Sequence, residues 1–119
     1  MKTVVAIEDD QHHSRILGLF LDQLGYDMLA VDTADEGMQL ARESTPDAII
    51  VDLLLPGIDG WELISRIKTD PELAHIPVIV LSALSAAHAK KRAFDAGCDA
   101  YITKPIQMDD LRDWLTKLT

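Results

Sequence analysis

The sequence predicts an α/β fold, a doubly wound five-stranded parallel sheet with helices on both faces. Short apolar, β-branched runs alternate with segments of helical period five times over, and that alternation builds parallel sheets covered by helices. Two of the runs, Ala48-Ile-Ile-Val51 and Ile76-Pro-Val-Ile-Val-Leu81, carry almost no polar residue, as strands buried on both faces do. A single domain of 119 residues buries roughly two-thirds of its unfolded surface, enough for a core without disulfide or metal staples.

Taken in order, Thr3-Val-Val-Ala-Ile7 is the first strand and ends in three acids, Glu8-Asp9-Asp10. Ile16, Leu17, Phe20, Leu21 and Leu24 then recur at helical spacing, with Asp10 as N-cap and Gly25 as the stop. Tyr26 to Val31 is the second strand. Thr33-Ala-Asp-Glu36 has the capping-box pattern and opens a helix that runs through Met38, Leu40 and Ala41 until Pro46. The third strand ends in Asp52, before Leu53-Leu-Leu-Pro-Gly57. Asp59-Gly60 opens a helix carrying Leu63, Ile64 and Ile67, which Asp70-Pro71 ends. The fourth strand spans Ile76 to Leu81 and leads into Ser82-Ala83, with Ser85 as the expected cap of an alanine-rich helix that Gly97 closes. Asp99 to Thr103 is the fifth strand, ending at Lys104-Pro105. Met108, Leu111, Leu115 and Leu118 mark the last helix. Right-handed crossovers leave few topologies, and at this length they favour the flavodoxin-like order 2-1-3-4-5, with its switch point between strands 1 and 3.

The net charge of −9 argues against the domain itself holding nucleic acid, whose phosphates it would repel. One cysteine, Cys98, permits no internal disulfide and suits a reducing compartment. No apolar run approaches the length of a membrane span.

Asp52 is the anomaly around which the chain is organised. An ionised carboxylate in an apolar strand is costly unless paired or bound to a metal. At the strand's carboxyl end it sits where open α/β sheets place their ligands. Glu8-Asp9 ends strand 1, Ser82 strand 4 and Lys104 strand 5, so all can meet Asp52 at one sheet edge. Carboxylates about 5 Å apart repel by roughly 3 kcal/mol per pair at an effective dielectric of ~20, which calls for a cation. Mg²⁺ takes one or two carboxylates and keeps waters. A hydroxyl and an ammonium beside it suit a phosphoryl group, with Asp52 as the nucleophile.

These residues carry a resemblance. Ile7-Glu-Asp-Asp10, Asp52-Leu-Leu-Leu-Pro-Gly-Ile-Asp-Gly60, Leu81-Ser-Ala83 and Tyr101-Ile-Thr-Lys-Pro105 together resemble the CheY-like receiver domains of two-component response regulators, and the likeness covers residues 1–119 as one domain. It implies that Asp52 accepts a phosphoryl group from a histidine kinase or a histidine phosphotransfer protein. It further implies that Asp9 binds Mg²⁺ directly (Mn²⁺ in its place), Glu8 through water, and Asp52 and the Leu54 carbonyl complete the protein ligands. Ser82 and Lys104 would hold the phosphoryl oxygens, and Tyr101 would turn inward as Ser82 moves. The Lys104-Pro105 bond would be cis, an isomer proline tolerates. The surface of residues 86 to 117 would report the change to a downstream protein target. The resemblance places the protein in the cytoplasm, as a switch that catalyses only its own phosphorylation and slow autodephosphorylation rather than as an enzyme.

Leu54 and Leu84 stand where water would approach an acyl phosphate, and neither can orient it, so a long-lived phosphoryl group is expected. Three other readings compete. An aspartyl phosphohydrolase needs a second acid at position 54, which is Leu54. A flavin or dinucleotide binder needs a glycine-rich loop after strand 1, where Asp10-Gln-His-His13 stands. A pseudo-receiver would bind partners without phosphorylation. Adjacent residues of a helix point to different faces, so His12-His13 reads as a solvated helix start rather than a metal site, with partner docking through that turn as the next reading. Trp61 is read as a partner anchor or as partly buried, Trp114 as half-buried, and Lys90-Lys-Arg92 as a solvated face that could also contact a target.

Overall fold

The computed structural model describes residues 1–119. Ten elements alternate: β1 Lys2–Ile7, α1 Gln11–Gln23, β2 Tyr26–Val31, α2 Ala34–Ser44, β3 Ala48–Asp52, α3 Gly60–Thr69, β4 Val78–Ser82, α4 Ala87–Ala96, β5 Ala100–Thr103 and α5 Met108–Leu118. The strands form one parallel sheet in the order β2-β1-β3-β4-β5. No helix is long and apolar enough to cross a membrane.

Side chains alternate between the faces of a strand, and here that alternation divides the core in two. Val5, Ile7, Ile49, Val51, Val78 and Val80 face α2, α3 and α4 through residues such as Met38, Leu63, Ile64, Ile67 and Ala93. Val4, Ala6, Ala48, Ile50, Ile79 and Leu81 face α1 and α5 through Leu17, Leu21, Leu111 and Leu115. Trp61 packs half-buried against the first core and Trp114 against the second.

The helix ends follow their chemistry. Asp10, Thr33 and Asp59 accept hydrogen bonds from the first-turn N–H groups of α1, α2 and α3, the role expected of N-caps. Gly25, just beyond α1, has φ 85°, open to glycine at little cost. Two expectations need correction. β4 begins at Val78, not Ile76, because Pro77 has no N–H to donate to the ladder and the Ile76 N–H closes a turn onto the Leu73 carbonyl (2.9 Å). Ser85 does not cap α4. Ala86 stands at that position with no side-chain hydrogen bond, so the helix starts uncapped.

α4 is lightly attached. It buries only Ala89 and Ala93, while its one large apolar residue, Phe94, is exposed. Trp61 clasps it from α3: the indole Nε1–H reaches the Ala89 carbonyl (3.4 Å) and the Arg92 guanidinium lies 4.1 Å from the ring centre. Of the basic run, Lys91 pairs with Asp95 (2.8 Å) and Lys90 lies 5.9 Å from the centre of the Tyr101 ring.

Candidate functional site

In the sheet β1 lies directly beside β3, so the acids after Ile7 meet the acid that ends β3. One carboxylate oxygen each from Glu8, Asp9 and Asp52 lies within 4.8 Å of the others. Glu8 and Asp52 are buried, 5 % and 6 % exposed, and Asp9 is open to solvent. The backbone helps to hold them: the Leu54 N–H donates to Asp52 Oδ1 (2.9 Å) and the Asp10 N–H to Glu8 Oε1 (3.1 Å).

Lys104, just past β5, reaches across the sheet edge to the same carboxylates. Its Nζ donates to Glu8 Oε2 (2.9 Å) and Asp52 Oδ2 (3.0 Å), and a third bond joins it to His13 Nδ1 (2.9 Å). Burial works against the ammonium charge, but the bonds to Glu8 and Asp52 outweigh it and hold the Lys104 pKa above its ordinary value. Burial pushes the Glu8 carboxyl up, against the pull of Lys104, and the neighbouring Asp52 pushes it further. A buried carboxylate pair with a single ammonium stays short of positive charge.

The remaining candidates form an adjoining network rather than part of this cluster. Ser82 is fully buried, and its Oγ accepts the Leu84 N–H (3.0 Å). The half-buried Tyr101 donates its hydroxyl to the Leu84 carbonyl (2.6 Å). Leu84 therefore ties Ser82 to Tyr101 through its own backbone. The Lys104 N–H donates to the Ser82 carbonyl (2.8 Å), linking this network to the acidic cluster. The Lys104–Pro105 peptide is cis. The Leu54 side chain is exposed beside Asp52, and Leu84 is half-buried.

His13 corrects the sequence reading. His12 is exposed at the helix start as expected, but His13 is half-buried and bonded to Lys104. The first turn of α1 follows directly from the end of β1, and that proximity was the available signal. Which of two adjacent histidines faces the sheet edge depends on the helix phase that the Asp10 cap sets. His13, Lys104, Pro105 and Ile106 also line a cavity of about 280 Å³ beside the cluster.

Three hard oxygen donors, two of them nearly closed and one facing water, suit a divalent ion that keeps part of its hydration. The family model for the response regulator receiver domain matches residues 4–116 of this chain. The chain belongs to that family. This receiver domain is 36 % identical over 107 residues to the polar-differentiation response regulator DivK of Brucella ovis, spanning 90 % of this chain and 87 % of DivK. It is 35 % identical over 111 residues to the DNA-binding dual master transcriptional regulator RpaA of Synechocystis. That match spans 93 % of this chain but only 46 % of RpaA, about half of its length. Among solved structures, the signal receiver domain of a signal transduction histidine kinase from Syntrophus aciditrophicus matches with a TM-score of 0.89 at 31 % identity, over 99 % of this chain and 89 % of that one.

Proposed function

We propose that this receiver domain is a phosphoacceptor switch, with Asp52 the residue phosphorylated by a histidine kinase or histidine phosphotransfer protein. The observation that carries the reading is the buried Asp52 carboxylate, bonded to Lys104 and within 4.8 Å of two further acids. Glu8, Asp9, Asp52 and the Leu54 carbonyl are the groups that would hold Mg²⁺, or Mn²⁺ in its place. A bound divalent ion supplies positive charge against both the carboxylates and the phosphoryl oxygens.

The protein's own groups do the rest. An Asp52 oxygen attacks phosphorus while the P–N bond to the donor imidazole breaks, and the imidazole leaves with the electron pair and takes up a proton. The Leu54 N–H on Asp52 Oδ1 fixes the carboxylate's orientation, so little freedom is lost on reaching the reactive geometry. Lys104 and the Ser82 hydroxyl hold the phosphoryl oxygens. Ser82 swings toward the phosphoryl group to do so, and this motion strains its bond from the Leu84 N–H. That loosens the segment to which Tyr101 is bonded, and Tyr101 turns inward. The fourth-helix surface within residues 86 to 117 changes in consequence and is read by a downstream protein target. The leverage on that target equals its difference in affinity for the two states. Residues 1–119 act as one receiver unit, and a lone buried cysteine fits the cytoplasm.

Intact mass after incubation with Mg²⁺ and acetyl phosphate tests the reading, with wild type beside Asp52→Asn. One phosphoryl group on wild type alone, abolished by prior chelation of the metal, supports it. Failure to gain mass from acetyl phosphate and from a phosphorylated histidine phosphotransfer protein overturns it in favour of a pseudo-receiver.

A further inference from the structure

We propose that His13 is a positioning residue, whose neutral imidazole keeps the Lys104 ammonium at the site when a divalent ion takes over the carboxylates. The inference rests on the phosphoacceptor reading for its consequence, but not for its geometry.

An ammonium has three hydrogens to donate. Lys104 places them on Glu8 Oε2, Asp52 Oδ2 and His13 Nδ1, at 2.9, 3.0 and 2.9 Å. Lysine cannot accept a hydrogen bond, so Nδ1 is the acceptor and the ring carries its proton on Nε2. Two of the three partners are therefore carboxylates of the acidic cluster that suits a divalent cation. An ion bound there competes with the ammonium for the same oxygens and repels it. His13 is the one partner of the Lys104 ammonium outside that cluster. Its Nδ1 lies 2.9 Å from the ammonium and 3.9 Å, beyond hydrogen-bond distance, from Asp10 Oδ2, and its side chain comes from α1, not from a strand end. A bond to a neutral acceptor is weaker than the two charge-assisted bonds, yet it is the one that survives loading of the site. It leaves the ammonium on the rim with hydrogens free for a phosphoryl oxygen. Without His13 the long side chain is freed into the adjoining cavity, and each transfer must first order it again.

The substitutions separate this role from a structural one. In His13→Asn the side-chain Oδ1 stands where Nδ1 stands and can still accept, whereas His13→Leu fills the space and cannot. The direct readout is the ¹⁵N resonance of the Lys104 side-chain NH₃⁺, which is seen only while hydrogen bonds slow its exchange with water. In Mg²⁺-saturated protein the resonance is expected to persist in wild type and His13→Asn and to vanish in His13→Leu. Phosphorylation by acetyl phosphate at saturating Mg²⁺ is expected to slow on the order of tenfold in His13→Leu, as for the loss of one hydrogen bond to a charged group, and to stay near wild type in His13→Asn. Persistence of the resonance in His13→Leu, or equal slowing in both variants, overturns the role of His13. If wild type takes up no phosphoryl group, the phosphoacceptor reading falls, while the resonance still decides what holds Lys104.

Discussion

Replacing Lys104 by Met keeps most of the side-chain volume and removes the charge, leaving Glu8 and Asp52 facing each other with Asp9 nearby. At 4.8 Å and an effective dielectric of ~20, one such carboxylate pair repels by about 3 kcal/mol. Breaking a buried ion pair from one side costs a similar amount. Without metal, Lys104→Met is therefore expected to lose about 3 kcal/mol of stability, which at a urea m-value of about 1.5 kcal/mol/M lowers the unfolding midpoint by about 2 M. Mg²⁺ should restore much of this loss. It should also bind more tightly to the variant than to wild type, because the ammonium that competes for the same oxygens is gone. The pH dependence gives a second check. Burial raises the folded pKa of Glu8 above its ordinary 4.5, so the folded state binds this proton more readily than the unfolded chain does. The resulting stability is present below about pH 4.5 and is lost as pH rises through the folded value. Lys104 counters that loss, so the gap between variant and wild type should narrow as pH falls toward 4.5. Urea unfolding with and without Mg²⁺ at several pH values measures all of this. Unchanged stability without metal, or weaker Mg²⁺ binding by the variant, would refute the electrostatic argument.

Three further outcomes are expected. Gly60→Ala would place Cβ 2.4 Å from the Leu53 carbonyl oxygen and 2.6 Å from Leu53 Cα. Both are backbone atoms that cannot step aside, so a loss of about 2–3 kcal/mol in urea unfolding follows. Tyr101→Phe removes the bond to the Leu84 carbonyl and should cost about 1 kcal/mol, with faster hydrogen exchange at the Leu84 amide, and unchanged exchange there would count against the link. Leu54→Asn combined with Leu84→Glu should shorten the life of the phosphoryl group several-fold by giving an attacking water polar partners. An unchanged dephosphorylation rate would show that apolar lining does not protect the bond.

The strands and the acids at their ends were legible because both signals are local. An apolar run broken by one carboxylate can be read without knowing the fold, and the parallel order then brings Glu8, Asp9, Asp52 and Lys104 to one edge. What escaped depended on distance or phase. The absence of an N–H on Pro77 shortened β4 at a position that its apolar pattern includes. Ser85 has the chemistry of a cap, but the helix begins one residue too late to use it. Nothing near Tyr101 in sequence points to the Leu84 carbonyl as its partner, and nothing near Gly60 announces the closeness of Leu53. His13 is not distinguished from His12 in the sequence, because a pair of adjacent histidines has no preferred face until the first turn of α1 is fixed.

The light attachment of α4 has a consequence for how such a domain can diversify. Its buried face consists of Ala89 and Ala93, two methyl groups, and its clasp consists of Trp61 on α3 and the exposed Arg92. Changes at the solvent positions of this helix leave the strand-end chemistry untouched. Changes at Arg92 alter how firmly the helix sits without cutting into the core. Recognition and responsiveness can therefore drift separately from each other and from the acidic strand-end site, and descendants of one ancestor can acquire new surfaces while Asp52 and its neighbours stay as they are.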